Sequence, residues 1–202
     1  MLGAHVMTQF EFLMTFASVI LAIALSEMLG GWGRLIRSRV PISWSGLWIG
    51  WSLFVIAITI MYWAGMWPYR DQSFREGYKI FWLAVPTFFL VVLGYLLSPE
   101  PEDDASEVDL GERYWLIAPR MFPLLAIFIV CSTVADVLIV GERRGAGPLQ
   151  EFVISPRLYG IASLMLLVAC SFTRKLWLHW GTLALLSPAP LLFLFGDVAI
   201  FR

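Results

Sequence analysis

Four ionisable side chains lie inside otherwise apolar stretches of this chain: Glu27, Arg120, Asp136 and Asp197. A charge at the centre of a bilayer costs about 2.5–3.5 kcal/mol on insertion scales, and less toward the interface. All four fall within about two helical turns of the end of an apolar stretch, where a side chain can reach the headgroups or a partner. Interfacial snorkelling or ion pairing is therefore the plain reading, and a proton or cation pathway is the functional one. Glu27 and Arg120 fall toward one face and form a predicted pair. Asp136 and Asp197 fall toward the other, where Lys79 or Arg157 answers them.

The remaining reactive residues narrow the chemistry. His5 precedes the first apolar stretch and His179 opens the last, so they lie toward opposite faces and cannot both bind one haem axially. Lys79 and Lys175 sit at or outside stretch ends, too shallow for a retinal Schiff base. Cys131 and Cys170 lie at different depths, which disfavours a disulfide. No CxxC, HExxH, GxSxG or Walker motif occurs. The acidic run between Glu100 and Glu112 lacks the EF-hand spacing and turn glycine and reads as a solvated linker, with docking of a basic partner as the alternative. The expectation is a protein without catalytic residues, cofactor or metal.

The elements that hold these residues follow from composition. The chain has 202 residues, is 59% hydrophobic with mean hydropathy +0.78, and is 14% charged, against about 25% for a soluble domain. Its net charge of −1 leaves no basic excess for nucleic acid. A bilayer core takes roughly 20 apolar residues of helix. Six stretches qualify, at about 9–30, 44–66, 77–97, 117–140, 154–173 and 176–198, with an acidic linker over 98–114. The predicted fold is all-α: one polytopic bundle of six spans, its first span retained as a helix and not cleaved as a signal peptide. Trp32, Trp44, Trp48, Trp115, Trp177 and Trp180 gather near one set of span ends, and Trp63 and Trp67 near the other, as an interfacial aromatic belt does.

Close packing in lipid needs small residues. Ser18, Ala22, Ser26 and Gly30 form one stripe along the first span, and Gly46 and Gly50 open the second. Contacts within the bundle are the default meaning, and an oligomer interface is the alternative. Pro86 falls mid-span, Pro119 and Pro123 flank Arg120, and Pro188 and Pro190 fall at the centre of the sixth span, where a break is predicted near 187–190. Spans three and six would correspond in an inverted 3+3 repeat, which would also place Glu27 and Asp136 in equivalent positions on spans one and four. Broken helices in inverted repeats mark secondary transporters.

The cluster Arg34, Arg37 and Arg39 after the first span favours an outside N-terminus, although Lys and Arg divide evenly between the faces over the whole chain. The stretch QFEFLMTFASVILAIALSEMLGGWGRLIR, a Trp-rich second span and an acidic linker into VDLGERYWLIAPRMF resemble a group of short, uncharacterised bacterial six-span membrane proteins. That resemblance implies a bacterial inner-membrane location and no activity. The leading functional expectation is movement of an ion or small solute. The alternative is a non-catalytic accessory or scaffold subunit, with the lipid bilayer and a homo-oligomer or larger membrane complex as partners.

Overall fold

A computed structural model describes residues 8–70, 76–99, 107–140 and 154–191. The fold is all-α apart from one two-residue strand pair. In chain order it comprises α1 (Gln9–Arg37), β1 (Ile42–Ser43), α2 (Gly46–Gly65) with a 3-10 turn at Trp67–Tyr69, α3 (Gly77–Leu97), β2 (Val108–Asp109), α4 (Leu110–Val140), α5 (Ile154–Phe172) and α6 (Leu176–Leu186). Four of these are long and apolar enough to cross a membrane: α1, α2 with its 3-10 turn, α3 and α4. The described apolar part of α5 is shorter.

Local chemistry sets the helix ends. Thr8 and Glu11 form a reciprocal capping box at the start of α1, with 3.2 Å from Glu11 N to Thr8 Oγ1 and 2.7 Å from Thr8 N to Glu11 Oε2. The Asp109 carboxylate accepts from Gly111 N at 2.7 Å and Glu112 N at 3.1 Å, so α4 begins at residue 110 and not at the expected 117. With 31 residues, α4 is about 46 Å long, well beyond an apolar core of about 30 Å. Likewise α1 runs seven residues past the expected end at Gly30. Its glycines carry ordinary helical φ values, and Gly31 is buried against Ser98 and Pro99.

Cross-contacts fix the antiparallel order. β1 pairs in parallel with β2, Ile42 beside Val108 and Ser43 beside Asp109, so the α1–α2 and α3–α4 connections share one face. At the other face Tyr69 reaches Asp136 near the end of α4. The turn between α5 and α6 returns to the first face, where Trp180 lies against Gly46. Reporter groups placed at Ser38 and in the acidic linker are therefore expected on the same side of the membrane; signals from opposite sides would rule out the β1–β2 pairing.

The main core draws buried residues from all six described helices and centres on Trp48, Trp51, Leu90, Tyr114 and Phe122. Trp48 and Trp51 are fully enclosed, so Trp48 is a core residue and does not belong to the expected belt, whereas Trp44, Trp177 and Trp180 remain exposed. Among the described residues α1 makes its extensive contact with α3, whereas α4 makes its own with α3 and α5.

Candidate functional site

Of the charged residues inside the spans, Glu27 and Asp136 lie at opposite ends of the bundle. Glu27 lies two turns before Arg34 on one face of α1, and the two form an ion pair at 2.9 Å. Arg34 Nη2 also donates to Ser98 Oγ at 2.7 Å, and that hydroxyl lies 3.0 Å from both Glu27 O and Glu27 Oε1. Arg113 Nη2 donates to the Ser98 carbonyl at 3.0 Å. The cluster ties the last turns of α1 to the end of α3 and the start of α4. The expected Glu27–Arg120 pair does not form. Arg120 is exposed, and its place beside the cluster is taken by Arg113, seven residues earlier on the same side of α4. Ending the first span at Gly30 puts Arg34 in a loop, which hides its i+7 relation to Glu27.

At the other end, Tyr69 Oη donates to Asp136 Oδ1 at 2.8 Å, and Asp136 is exposed. Lys79 pairs instead with Glu76 at 3.2 Å. Beside this contact is a cavity of about 260 Å³ lined by Tyr62, Met66, Tyr69 and Ser132 among others. The Ser132 hydroxyl is buried without a hydrogen-bond partner. Glu27 and Asp136 thus have unlike surroundings, one in an arginine cluster and the other on a tyrosine hydroxyl. Asp197 and the Arg157 side chain lie outside the described residues.

A third polar group was not foreseen as a unit. His179 is fully buried between α4 and α6. Its Nε2 lies 2.8 Å from the Thr173 carbonyl, which can only accept, so Nε2 carries the proton and Nδ1 accepts from Tyr114 Oη at 2.5 Å. Trp115 and Phe122 meet the ring edge-on at 4.8 and 5.2 Å. With both nitrogens engaged, His179 has no lone pair free for a metal. Next to it, Thr182 donates to Leu178 O at 2.8 Å, which leaves the Cys170 thiol as donor across the 3.3 Å to Thr182 Oγ1. The available sequence signal was a Tyr-Trp pair opening α4 opposite a histidine opening α6.

The small and helix-breaking residues have distinct placements. Of the first-span stripe, Ala22 and Ser26 are exposed and Ser18 and Gly30 half-buried, so the stripe is not the face that α1 buries. That face carries Leu13, Ala17, Leu21, Ala24, Met28, Gly31 and Leu35. Its small residues Ala17, Ala24 and Gly31 recur every seventh position, and they allow α3 to come close. Gly46 and Gly50 meet α6: a Cβ on Gly50 would stand 2.5 Å from Leu183 Cδ2. Pro86 is buried within a continuous α3, and the turn it loosens receives side-chain donors, Tyr62 Oη of α2 to Leu83 O and Thr87 Oγ1 of α3 itself to Ala84 O, both at 2.6 Å. The regular α6 ends at Leu186, but the predicted break is slight: Ser187 keeps helical dihedrals with its N–H bonded to Leu183 O at 2.9 Å, and helix continues over 188–191 with Leu191 N reaching Ser187 O at 3.3 Å. There the Ser187 hydroxyl donates to Leu183 O at 2.6 Å.

Comparison of the chain with protein-family models, with curated proteins and with solved structures finds no match.

Proposed function

We propose that the chain is a six-span protein of a bacterial inner membrane, N-terminus outside, and that it acts as a non-catalytic accessory or scaffold subunit of a larger membrane complex. The supporting observation is the orientation of α1. One side of the helix is spent on α3, and the close-approach residues Ala22 and Ser26 are left facing outward. Beside them the α1–α2 groove is lined by Ser18, Ala22, Thr59 and Trp63, with Trp63 Nε1 donating to Ser18 Oγ at 2.9 Å. In lipid there is no hydrophobic drive between helices, so a small-residue face earns its place through contact with another helix.

The charged residues favour this reading over a carrier. Glu27 is neutralised within its own helix by Arg34, Asp136 sits at the opposite end, and Trp48, Trp51 and Phe122 fill the core between α2, α4 and α6. The test is purification from native membranes in mild detergent, comparing the natural chain with Ala22→Leu and Ser26→Leu. A stoichiometric companion that these substitutions release, and that Ile23→Leu retains, is the expected result. A protein that purifies alone in every case overturns the reading.

One observation favours a carrier instead: the exposed Asp136 carboxylate next to a cavity holding the unpartnered Ser132 hydroxyl. On that reading Asp136→Asn abolishes a proton or cation flux in reconstituted vesicles. On the subunit reading neither the natural chain nor the variant carries one.

A further inference from the structure

A second cavity, of about 170 Å³, lies where α2, α4, α5 and α6 meet. Its wall includes Ile58, Phe128, Leu167, Leu186 and Pro190, all buried; the buried Ser163 also borders it, yet the surface exposed to the cavity is wholly apolar. Ile58 falls within the middle part of α2 and Phe128 within that of α4, which places the cavity near the bilayer midplane. Water entering it would find no hydrogen-bond partner, and an apolar cavity of such size is a binding site for apolar molecules. Two further features bear on what enters. Gly160 leaves its part of the wall open, since a Cβ there would meet nothing within 4 Å. Beyond Ser187, Pro190 is buried in the wall and Ala189 lies exposed at the edge, so the cavity communicates with the lipid-facing surface.

We propose that this cavity takes the acyl chain of a membrane lipid, entering past Ala189. The bilayer presents a slender, flexible and wholly apolar chain at that depth, which matches a wall that exposes no polar atom. The site is independent of the subunit reading and of the charged clusters at the two ends of the bundle.

The experiment uses the full chain in vesicles doped with a phosphatidylcholine that carries a diazirine midway along one acyl chain. After irradiation, labelled positions are mapped by mass spectrometry. Labelling of Ile58 and Leu186 is expected to exceed that of the lipid-facing Ile127 and Phe88 severalfold. Gly160→Leu, which fills the cavity, and Ala189→Phe, which closes its edge, should each remove the excess, while unchanged labelling of Phe88 reports that the bundle is intact. If Ile58 and Leu186 are shielded while Ile127 and Phe88 are labelled, the cavity is filled by this chain's own residues and the assignment falls. Excess labelling that survives both substitutions also overturns it.

Discussion

Gly94→Leu is expected to destabilise the bundle by about 3 kcal/mol or more, at the upper end of the usual range for overpacking. The contact concerned is between backbones. A Cβ at Gly94 would lie 2.9 Å from the Ala24 carbonyl oxygen and 3.3 Å from Ala24 Cα, and backbone cannot rotate out of the way. α1 and α3 would have to separate along their most extensive shared surface. The intrinsic effect of replacing a helical glycine runs the other way, by roughly 1 kcal/mol, so the sign of the change reports the packing and not helix propensity. Thermal unfolding in one detergent should show the midpoint falling by about 6–12 °C. Gly65→Ala is the comparison, since a Cβ there meets nothing within 4 Å, and its midpoint should stay or rise slightly. A Gly94→Leu midpoint equal to that of the natural chain would mean that α1 and α3 do not touch there.

Tyr114→Phe is expected to cost about 1–3 kcal/mol, the penalty for leaving a buried acceptor without its donor. The acceptor is His179 Nδ1, which has no solvent to turn to. His179→Leu should cost at least as much, because it strands both the Tyr114 hydroxyl and the Thr173 carbonyl. The double variant should cost less than the sum of the two, since residues that share a hydrogen bond are coupled. Strict additivity of the three unfolding midpoints would show that Tyr114 and His179 do not interact. Glu27→Gln should have a smaller effect, under about 1 kcal/mol, because Arg34 keeps a hydrogen-bonding partner and its side chain is 36% exposed to screening.

The helical class, the central boundaries of α2 and α3, and the kinship of the first and third connections were legible in the apolar stretches and their punctuation. Helix ends were less so. Gly30, Gly31 and Gly33 read as a stop after the first span, yet in a bundle glycine marks close approach as readily as a terminus, and Gly31 lies against Ser98. That single misreading removed Arg34 from α1 and sent Glu27 to the wrong partner. The four-residue stripe from Ser18 to Gly30 was conspicuous because all its members are small. The face actually buried alternates Ala17, Ala24 and Gly31 with Leu13, Leu21, Met28 and Leu35, and so looks unremarkable in a one-dimensional reading. The His179 network was invisible for a different reason: its three members come from α4, α6 and the turn before α6, and only tertiary structure gathers them.

The strand pair between Ile42–Ser43 and Val108–Asp109 also has a bearing on how the molecule is made. A chain emerges from its N-terminus, and the two strands are separated by the whole α2–α3 hairpin. The segment after α1 therefore waits, with its strand edge unsatisfied, until α3 has crossed the membrane and residue 109 has appeared. Only then can Val108 N find the Pro41 carbonyl, at 3.0 Å in the finished fold, and Asp109 cap the helix that follows. Closure of that small pair and capping of α4 thus draw on the same two residues, Val108 and Asp109, and the first half of the protein cannot be completed before the second half has begun.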